Sequence, residues 1–154
     1  MKRPTVIHLK FIKLCTGVAL TLATSAWAQM TPIGVWNTVD ENTQEIKAAI
    51  QIVEKDGVLV GTILKSFKKD TNESTVCEDC KDDRKGKPII GLDIIRNVKK
   101  EADELLWAGG GKILDPENGK EYTVRLVPIE DGKKLRVRGY IGPFYRTQVW
   151  LRVQ

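Results

Sequence analysis

Residues 121–153 read EYTVRLVPIEDGKKLRVRGYIGPFYRTQVWLRV, and this stretch decides the fold. It contains runs rich in β-branched and aromatic residues at 121–129, 133–140 and 146–153. In the second run, apolar Leu135 and Val137 alternate with basic residues, which is the two-residue period of a half-buried strand. The turn Glu130-Asp131-Gly132 is too short for a crossover, so the strands on either side of it pair antiparallel. The stretch therefore predicts successive hairpin-linked strands.

The same pattern extends towards the start of the chain. Five further runs lie at 34–39, 46–54, 58–67, 89–97, and 104–108 continuing at 112–114. Ile46, Ala48, Ile50 and Ile52 share one face of their run, while Lys47, Ala49 and Gln51 share the other. Eight consecutive strands in so short a chain predict an all-β fold, an eight-stranded antiparallel up-and-down (meander) barrel, which leaves no strand edge exposed. An open sandwich of two sheets is the alternative.

The first 28 residues have the composition of a signal peptide. Lys2, Arg3, Lys10 and Lys13 precede an apolar run, and Ala26-Trp27-Ala28 is a small-residue cleavage site. We therefore expect a signal peptide helix within 1–28 and a single β-barrel domain at 29–154, exported to the periplasm or secreted. No later run approaches the roughly 20 apolar residues of a membrane-spanning helix, so we expect no transmembrane segment after cleavage.

Charge and composition exclude several classes of function. The formal charge of +5 falls to +1 without the signal peptide, because that segment carries four basic residues and no acid. A near-neutral domain has no electrostatic footprint for nucleic acid, and none is expected as a partner. The one histidine, His8, lies in the signal peptide, which excludes a Ser-His nucleophile and a histidine-ligated metal. We predict no catalytic residue, no cofactor and no metal.

Cys77-Glu78-Asp79-Cys80 lies in a charged connection of about twenty residues, 68–88, which is long for a loop. In an oxidising compartment a disulfide between Cys77 and Cys80 is favoured. A thiol-disulfide redox site is the second reading, although acidic neighbours raise the pKa of a thiol. A structural metal site is the third, and it lacks the remaining ligands that zinc requires.

Two groups of residues are candidates for the site. Gly34 and Trp36 open the first strand, and Trp150 and Arg152 end the last, so an arginine laid on an indole would close one end of the barrel. The ligand-binding candidates are aromatic and basic residues on single strand faces: Trp107, Tyr122, Arg136, Arg138 and Tyr140. If the arginines point inward they suit an anionic head group, and if outward they are solvated surface. Asp93 shares a strand parity with Ile89 and Ile95, which predicts a buried carboxylate that needs a partner.

Several motifs together resemble the bacterial exported proteins known as domain of unknown function 2147. They are Ile33-Gly34-Val35-Trp36, Cys77-Glu78-Asp79-Cys80, Lys87-Pro88-Ile89-Ile90-Gly91-Leu92, Ile113-Leu114-Asp115-Pro116, Gly119-Lys120-Glu121-Tyr122, Leu135-Arg136-Val137-Arg138-Gly139-Tyr140-Ile141-Gly142 and Arg146-Thr147-Gln148-Val149-Trp150. The resemblance implies a lipocalin-like or avidin-like barrel and brings no established activity. An eight-stranded barrel is filled by its own side chains or holds one small ligand.

Three functions follow as hypotheses. The first is a non-catalytic binding module for a small apolar or amphiphilic ligand, with the loop 68–88 as its lid. The second is a structural or interaction protein of the bacterial envelope, with a packed barrel and a protein partner. The third is a thiol-disulfide redox protein that uses Cys77 and Cys80.

Overall fold

The computed structural model describes residues 30–102 and 105–153. The predicted signal peptide and its helix lie outside these residues. The strands are β1 Gly34–Val39, β2 Ile46–Lys55, β3 Val58–Ser66, β4 Asp93–Val98, β5 Lys112–Asp115, β6 Lys120–Ile129, β7 Lys134–Ile141 and β8 Phe144–Arg152. Within the described part of the chain, no helix has the length and apolar character needed to cross a membrane.

Each strand pairs antiparallel with the next, and β1 also pairs with β8, which closes the sheet into a barrel. The closing ladder sets Trp36 opposite Arg152 and Asn37 opposite Leu151. The predicted eight-stranded meander barrel is confirmed, and the two-layer sandwich is not what forms. Closure satisfies the backbone groups that a sandwich would leave unpaired on the edge strands of both sheets.

The two least regular runs form shorter strands than their composition predicts. β4 begins at Asp93 rather than at residue 89, because Gly91 turns the chain with φ 87° and its N–H donates to the carbonyl of Ile63. In the run around residue 107, Trp107 forms only isolated bridges, to Lys100 and Leu126. The three glycines after it make a corner, where Gly110 has φ 81°, and β5 starts beyond them.

Two of the bulges in the sheet change which side chains face the cavity end of the interior. Thr38 pairs with Ala48 and Val39 pairs with Ile46, which leaves Lys47 unpaired between them. In the same way Gly61 pairs with Ile95 while Thr62 pairs with Asp93, so one residue of β4 is left over. An extra residue of this kind reverses the strand parity beyond it and re-aims its neighbours.

Asp93 shows the effect of the second bulge. The predicted parity placed its carboxylate in the interior, but Asp93 is only half-buried and pairs with Thr62. The hydroxyl of Thr62 donates to the Asp93 carboxylate at 2.5 Å. The extra residue is Ile94, which is buried together with Ile95, so apolar atoms occupy the interior and the acid stays at its edge.

The loop 68–88 is folded onto the barrel. Cys77 and Cys80 are joined by a disulfide, and both are almost completely buried. The Cys77 N–H donates to the carbonyl of Lys87 at 2.9 Å, and Val76 bridges to Pro88. At Gly119, which has φ 64°, an added Cβ would overlap the backbone of Asp79, so the disulfide segment lies directly against the β5–β6 turn.

Arg84 anchors this loop through a buried guanidinium that is only 1 % exposed. Its Nε donates to both carboxylate oxygens of Asp82 at 3.0 Å, and its Nη2 contacts Asp82 and Glu121 at 2.5 Å each. Its Nη1 donates to the carbonyl of Asp93 at 3.1 Å. The hydrogen bonds from Arg84 hold the pKa of Asp82 below its usual value. One cation therefore ties the loop to β4 and β6.

Replacing Arg84 by Ala is expected to lower the free energy of unfolding by about 3 kcal/mol, the low end for breaking a buried ion pair. The low end applies because the side chains of Asp82 and Glu121 are 40 % and 42 % exposed and can be hydrated again. Urea unfolding at neutral pH measures the change. Lys85→Ala, next along the chain and exposed, is the control, and an equal loss in both variants would contradict the anchoring role.

Candidate functional site

One end of the barrel contains a cavity of about 570 Å³. The apolar residues of its wall come from most of the strands: Ile50, Ile63, Ile94, Ile113, Val137 and Trp150. Trp150 is 2 % exposed, and its indole N–H donates to the Gln148 side chain at 3.0 Å. The volume lies in the range of small-molecule sites, which are mostly apolar with a few placed polar groups.

Three segments surround the mouth of the cavity. Thr71, Thr75 and Val76 of the loop 68–88 form one side, and the β5–β6 turn at Pro116 and Glu117 forms the next. The tip of the β7–β8 hairpin supplies Ile141, Phe144 and Tyr145, which are 53 %, 73 % and 61 % exposed. The predicted lid loop is therefore part of the cavity wall.

The opposite end of the barrel is filled by side chains. The Arg152 guanidinium lies 4.1 Å from the centre of the Trp36 ring, and Trp36 is completely buried. Arg152 also donates to the carbonyls of Thr31 at 2.7 Å and Ile33 at 2.9 Å. The Trp36 indole N–H donates to the Pro32 carbonyl at 2.7 Å. An added Cβ on Gly34 would lie 2.5 Å from Nη1 of Arg152, so glycine leaves the guanidinium its place.

A charged cluster lies at the mouth, formed by Lys47, Lys68 and Glu117. The Glu117 carboxylate is 3.6 Å from the Lys47 ammonium and pairs with Lys68. Burial lowers the pKa of Lys68, and the nearby charge of Lys47 lowers it further. All three side chains also line the cavity.

The family model described as "Uncharacterized protein conserved in bacteria (DUF2147)" matches residues 34–152. The chain belongs to this family. The resemblance inferred from the sequence motifs is thereby confirmed. Because the model covers β1 to β8, both the cavity strands and the Trp36–Arg152 contact of the closed end lie within the family's domain.

A solved structure of another protein has the same fold as this DUF2147 chain. It is protein HP1028 from Helicobacter pylori, described as belonging to the lipocalin family, with a TM-score of 0.68 and 16 % sequence identity. The alignment covers 82 % of this chain and 85 % of that protein. No curated protein sequence matches the chain. At this identity the likeness establishes a lipocalin-like fold, and function has to be argued from the site.

The five ligand-binding candidates from sequence lie in three places. Tyr122 lines the cavity, next to Ile113 and Gly139. Trp107 is 8 % exposed, packs in the core away from the cavity lining, and carries Lys100 over its ring at 5.4 Å. Arg136, Arg138 and Tyr140 are on the outer face of β7, because Leu135, Val137 and Gly139 between them face the interior.

The outer face of β6, β7 and β8 instead carries stacked cations and rings. Arg125 lies 5.1 Å from the ring centre of Tyr140, and Arg138 lies 4.6 Å from that of Tyr145. The two tyrosine rings are 5.6 Å apart, and Arg138 Nε donates to the Thr147 hydroxyl at 2.8 Å. These contacts agree with the outward orientation of the arginines, in which they are solvated and stack on aromatic faces.

Sequence reasoning missed the charged cluster at the mouth. The two-residue period predicts that Lys47 shares a face with Ala49 and Gln51, but the bulge at Thr38 and Val39 turns Lys47 to the mouth. The separation of the cluster's residues along the chain gives no sign that their side chains meet.

The disulfide is placed for structure rather than for exchange. Cys77 and Cys80 are 0 % and 1 % exposed, so an external thiolate cannot reach either sulfur without opening the loop. Among the described residues, no group of three or more His, Cys, Asp or Glu side chains is positioned to hold a metal ion.

Removing the disulfide is expected to lower the free energy of unfolding by at most about 2 kcal/mol, the chain-entropy estimate for so small a ring. Arg84 and the contact at Gly119 keep the loop in place. Urea unfolding of the Cys77→Ala, Cys80→Ala double variant measures the change, with far-ultraviolet circular dichroism for strand content. Loss of the strand signal in that variant would show that the bond holds the barrel itself.

Proposed function

We propose that this chain is an exported, non-catalytic binding module that holds one small amphiphilic molecule in its barrel. The observation that carries the proposal is the cavity of about 570 Å³, with an apolar wall and charged residues at its mouth. An apolar tail placed against Ile50, Ile63 and Trp150 leaves water, which is favourable by about 25 cal/mol for each Å² that is buried. A polar head group at the mouth stays hydrated or contacts the charged cluster of Lys47, Lys68 and Glu117.

The contrast between the two ends of the barrel supports a binding role for the end that contains the cavity. Side chains fill the end at Trp36 and Arg152, whereas Ala48 and Gly139 contribute little bulk to the lining of the other. A barrel with a purely structural role would be expected to fill both. Export rests on the composition of residues 1–28.

The proposal is tested with N-phenylnaphthylamine, a neutral probe whose fluorescence rises in apolar surroundings. Purified protein is expected to bind it saturably at one site per chain, and dodecanol below its aggregation limit is expected to displace it. A signal that grows without saturating, or that dodecanol leaves unchanged, would contradict a site in the barrel.

A further inference from the structure

We infer that Lys47 and Lys68 form a binding site for the anionic head of the ligand, and that Glu117 occupies this site in the empty protein. The inference rests on the proposed function, because it names the chemistry of one end of the same ligand. The head group is a carboxylate or a phosphate monoester on an apolar chain.

Two backbone features bring the lysines together. The bulge of β2 leaves Lys47 without a partner on β1 and turns it to the mouth. At the end of β3, the N–H of Phe67 donates to the carbonyl of Lys47 at 2.8 Å, which sets Lys68 beside it. Bulges commonly re-aim a side chain next to a functional site. Two ammonium groups therefore converge where the apolar wall begins.

Both lysines are about one-third exposed, with side-chain exposures of 35 % and 34 %. Like charges at such a position repel each other and lose part of their hydration. The lowered pKa of Lys68, caused by burial and then by Lys47, agrees with this arrangement. An anion placed between them relieves both costs, and Glu117 supplies that anion from the β5–β6 turn.

The neighbouring acids differ from Glu117 because turns hold their carboxylates. One carboxylate oxygen of Asp40 accepts the N–H groups of Asn42 at 2.9 Å and Thr43 at 3.0 Å, and the other lies 4.0 Å from the Lys47 ammonium. Asp115 accepts the N–H of Glu117 at 3.0 Å and the side-chain amide of Asn118 at 2.9 Å. The Glu117 side chain is 58 % exposed, so it can leave the lysines and be hydrated. It is the acid that a ligand carboxylate can replace.

The position of the lysines also orients the ligand. Ala48 follows Lys47 along β2, and Ile50 is the next inward residue. A head group held at Lys47 and Lys68 therefore places the chain attached to it along Ile50 and Ile63, towards Trp150. Charge-assisted hydrogen bonds of this kind contribute more than neutral ones, so the head should raise affinity as well as set direction.

The test is displacement of N-phenylnaphthylamine by four chains of equal length: dodecanoate, dodecyl phosphate, dodecanol and dodecyltrimethylammonium. The intact protein is expected to bind an anionic chain about tenfold more tightly than dodecanol. Whether the carboxylate or the phosphate binds more tightly assigns the head group. The Lys47→Gln, Lys68→Gln double variant should lose this preference and still bind dodecanol.

Glu117→Gln gives the sharper result. If the ion pair had a purely structural role, it would need the acid that this variant removes. The variant is expected to bind dodecanoate or dodecyl phosphate roughly threefold more tightly and dodecanol unchanged. Lys65→Gln is the matched control, since Lys65 lies near the same end of β3, is exposed and pairs with outward-facing Ala49. It should leave all four chains unaffected.

The outcomes separate the two proposals. Equal affinity of the intact protein for anionic and neutral chains would overturn the head-group site and leave the binding module standing. A preference for dodecyltrimethylammonium, or weaker anion binding by Glu117→Gln, would also overturn it. Failure of every chain to displace the probe, or of the probe to bind, would instead remove the proposed function.

Discussion

Ala48→Trp is expected to weaken the binding of N-phenylnaphthylamine at least tenfold, which is more than about 1.4 kcal/mol of binding free energy. Ala48 lines the cavity and pairs with Thr38 and Ser66, which line it as well. An indole at this position extends into the space in front of Ile50 and Ile63. The fluorescence titration of the probe measures the loss.

Ala49→Trp is the matched control for this variant. Ala49 is the next residue of β2, faces outward, and pairs with Asn37 and Lys65. It receives the same side chain on the other side of the sheet, so binding should be unchanged. Equal binding by both variants would place the probe outside the barrel, and equal loss would point to a general disturbance of β2.

Trp36→Ala is expected to lower the free energy of unfolding by about 3–5 kcal/mol, the usual cost of truncating a large buried aromatic residue. Trp36 is completely buried, donates to the Pro32 carbonyl, and lies under the Arg152 guanidinium. Without the ring, Arg152 loses its cation-π contact and a cavity remains at the filled end. Urea unfolding followed by circular dichroism measures the change.

Phe144→Ala is the control, because Phe144 is 73 % exposed at the hairpin tip. Truncating an exposed aromatic residue should change stability by no more than about 0.5 kcal/mol. If the Trp36 variant were as stable as the Phe144 variant, Trp36 and Arg152 would not be what closes that end. Closure by Gly34, Trp36 and Arg152 is a prediction that this comparison tests, whereas Trp150, which the sequence grouped with them, lines the cavity.

The strand order could be predicted because each signal is local. The two-residue period of β2 and β7, and the hairpin turn with Asp131 at φ 54°, depend on residues close together in the chain. The bulges could not be predicted, because they depend on which residue of a neighbouring strand lies opposite. For this reason the positions of Lys47 and Asp93 in the structure differ from those that strand parity predicts.

The site was predictable only where strand parity was regular. Tyr122 lies on the same regular face of β6 as Val124 and Leu126, and it lines the cavity. For Arg136 and Arg138 the sequence left both orientations open, and packing of Leu135 and Val137 in the interior decides between them. The burial of Arg84 could not be predicted from its neighbours in the chain, since one of its two carboxylate partners, Glu121, is 37 positions away.

Nuclear magnetic resonance on a complex with dodecanoate tests the central claim most directly. With isotope-labelled isoleucine methyl groups, the account predicts intermolecular nuclear Overhauser effects from the chain to Ile50, Ile63 and Ile113, which line the cavity. Effects confined to exposed residues outside the cavity, such as Ile33 and Ile46, would contradict it.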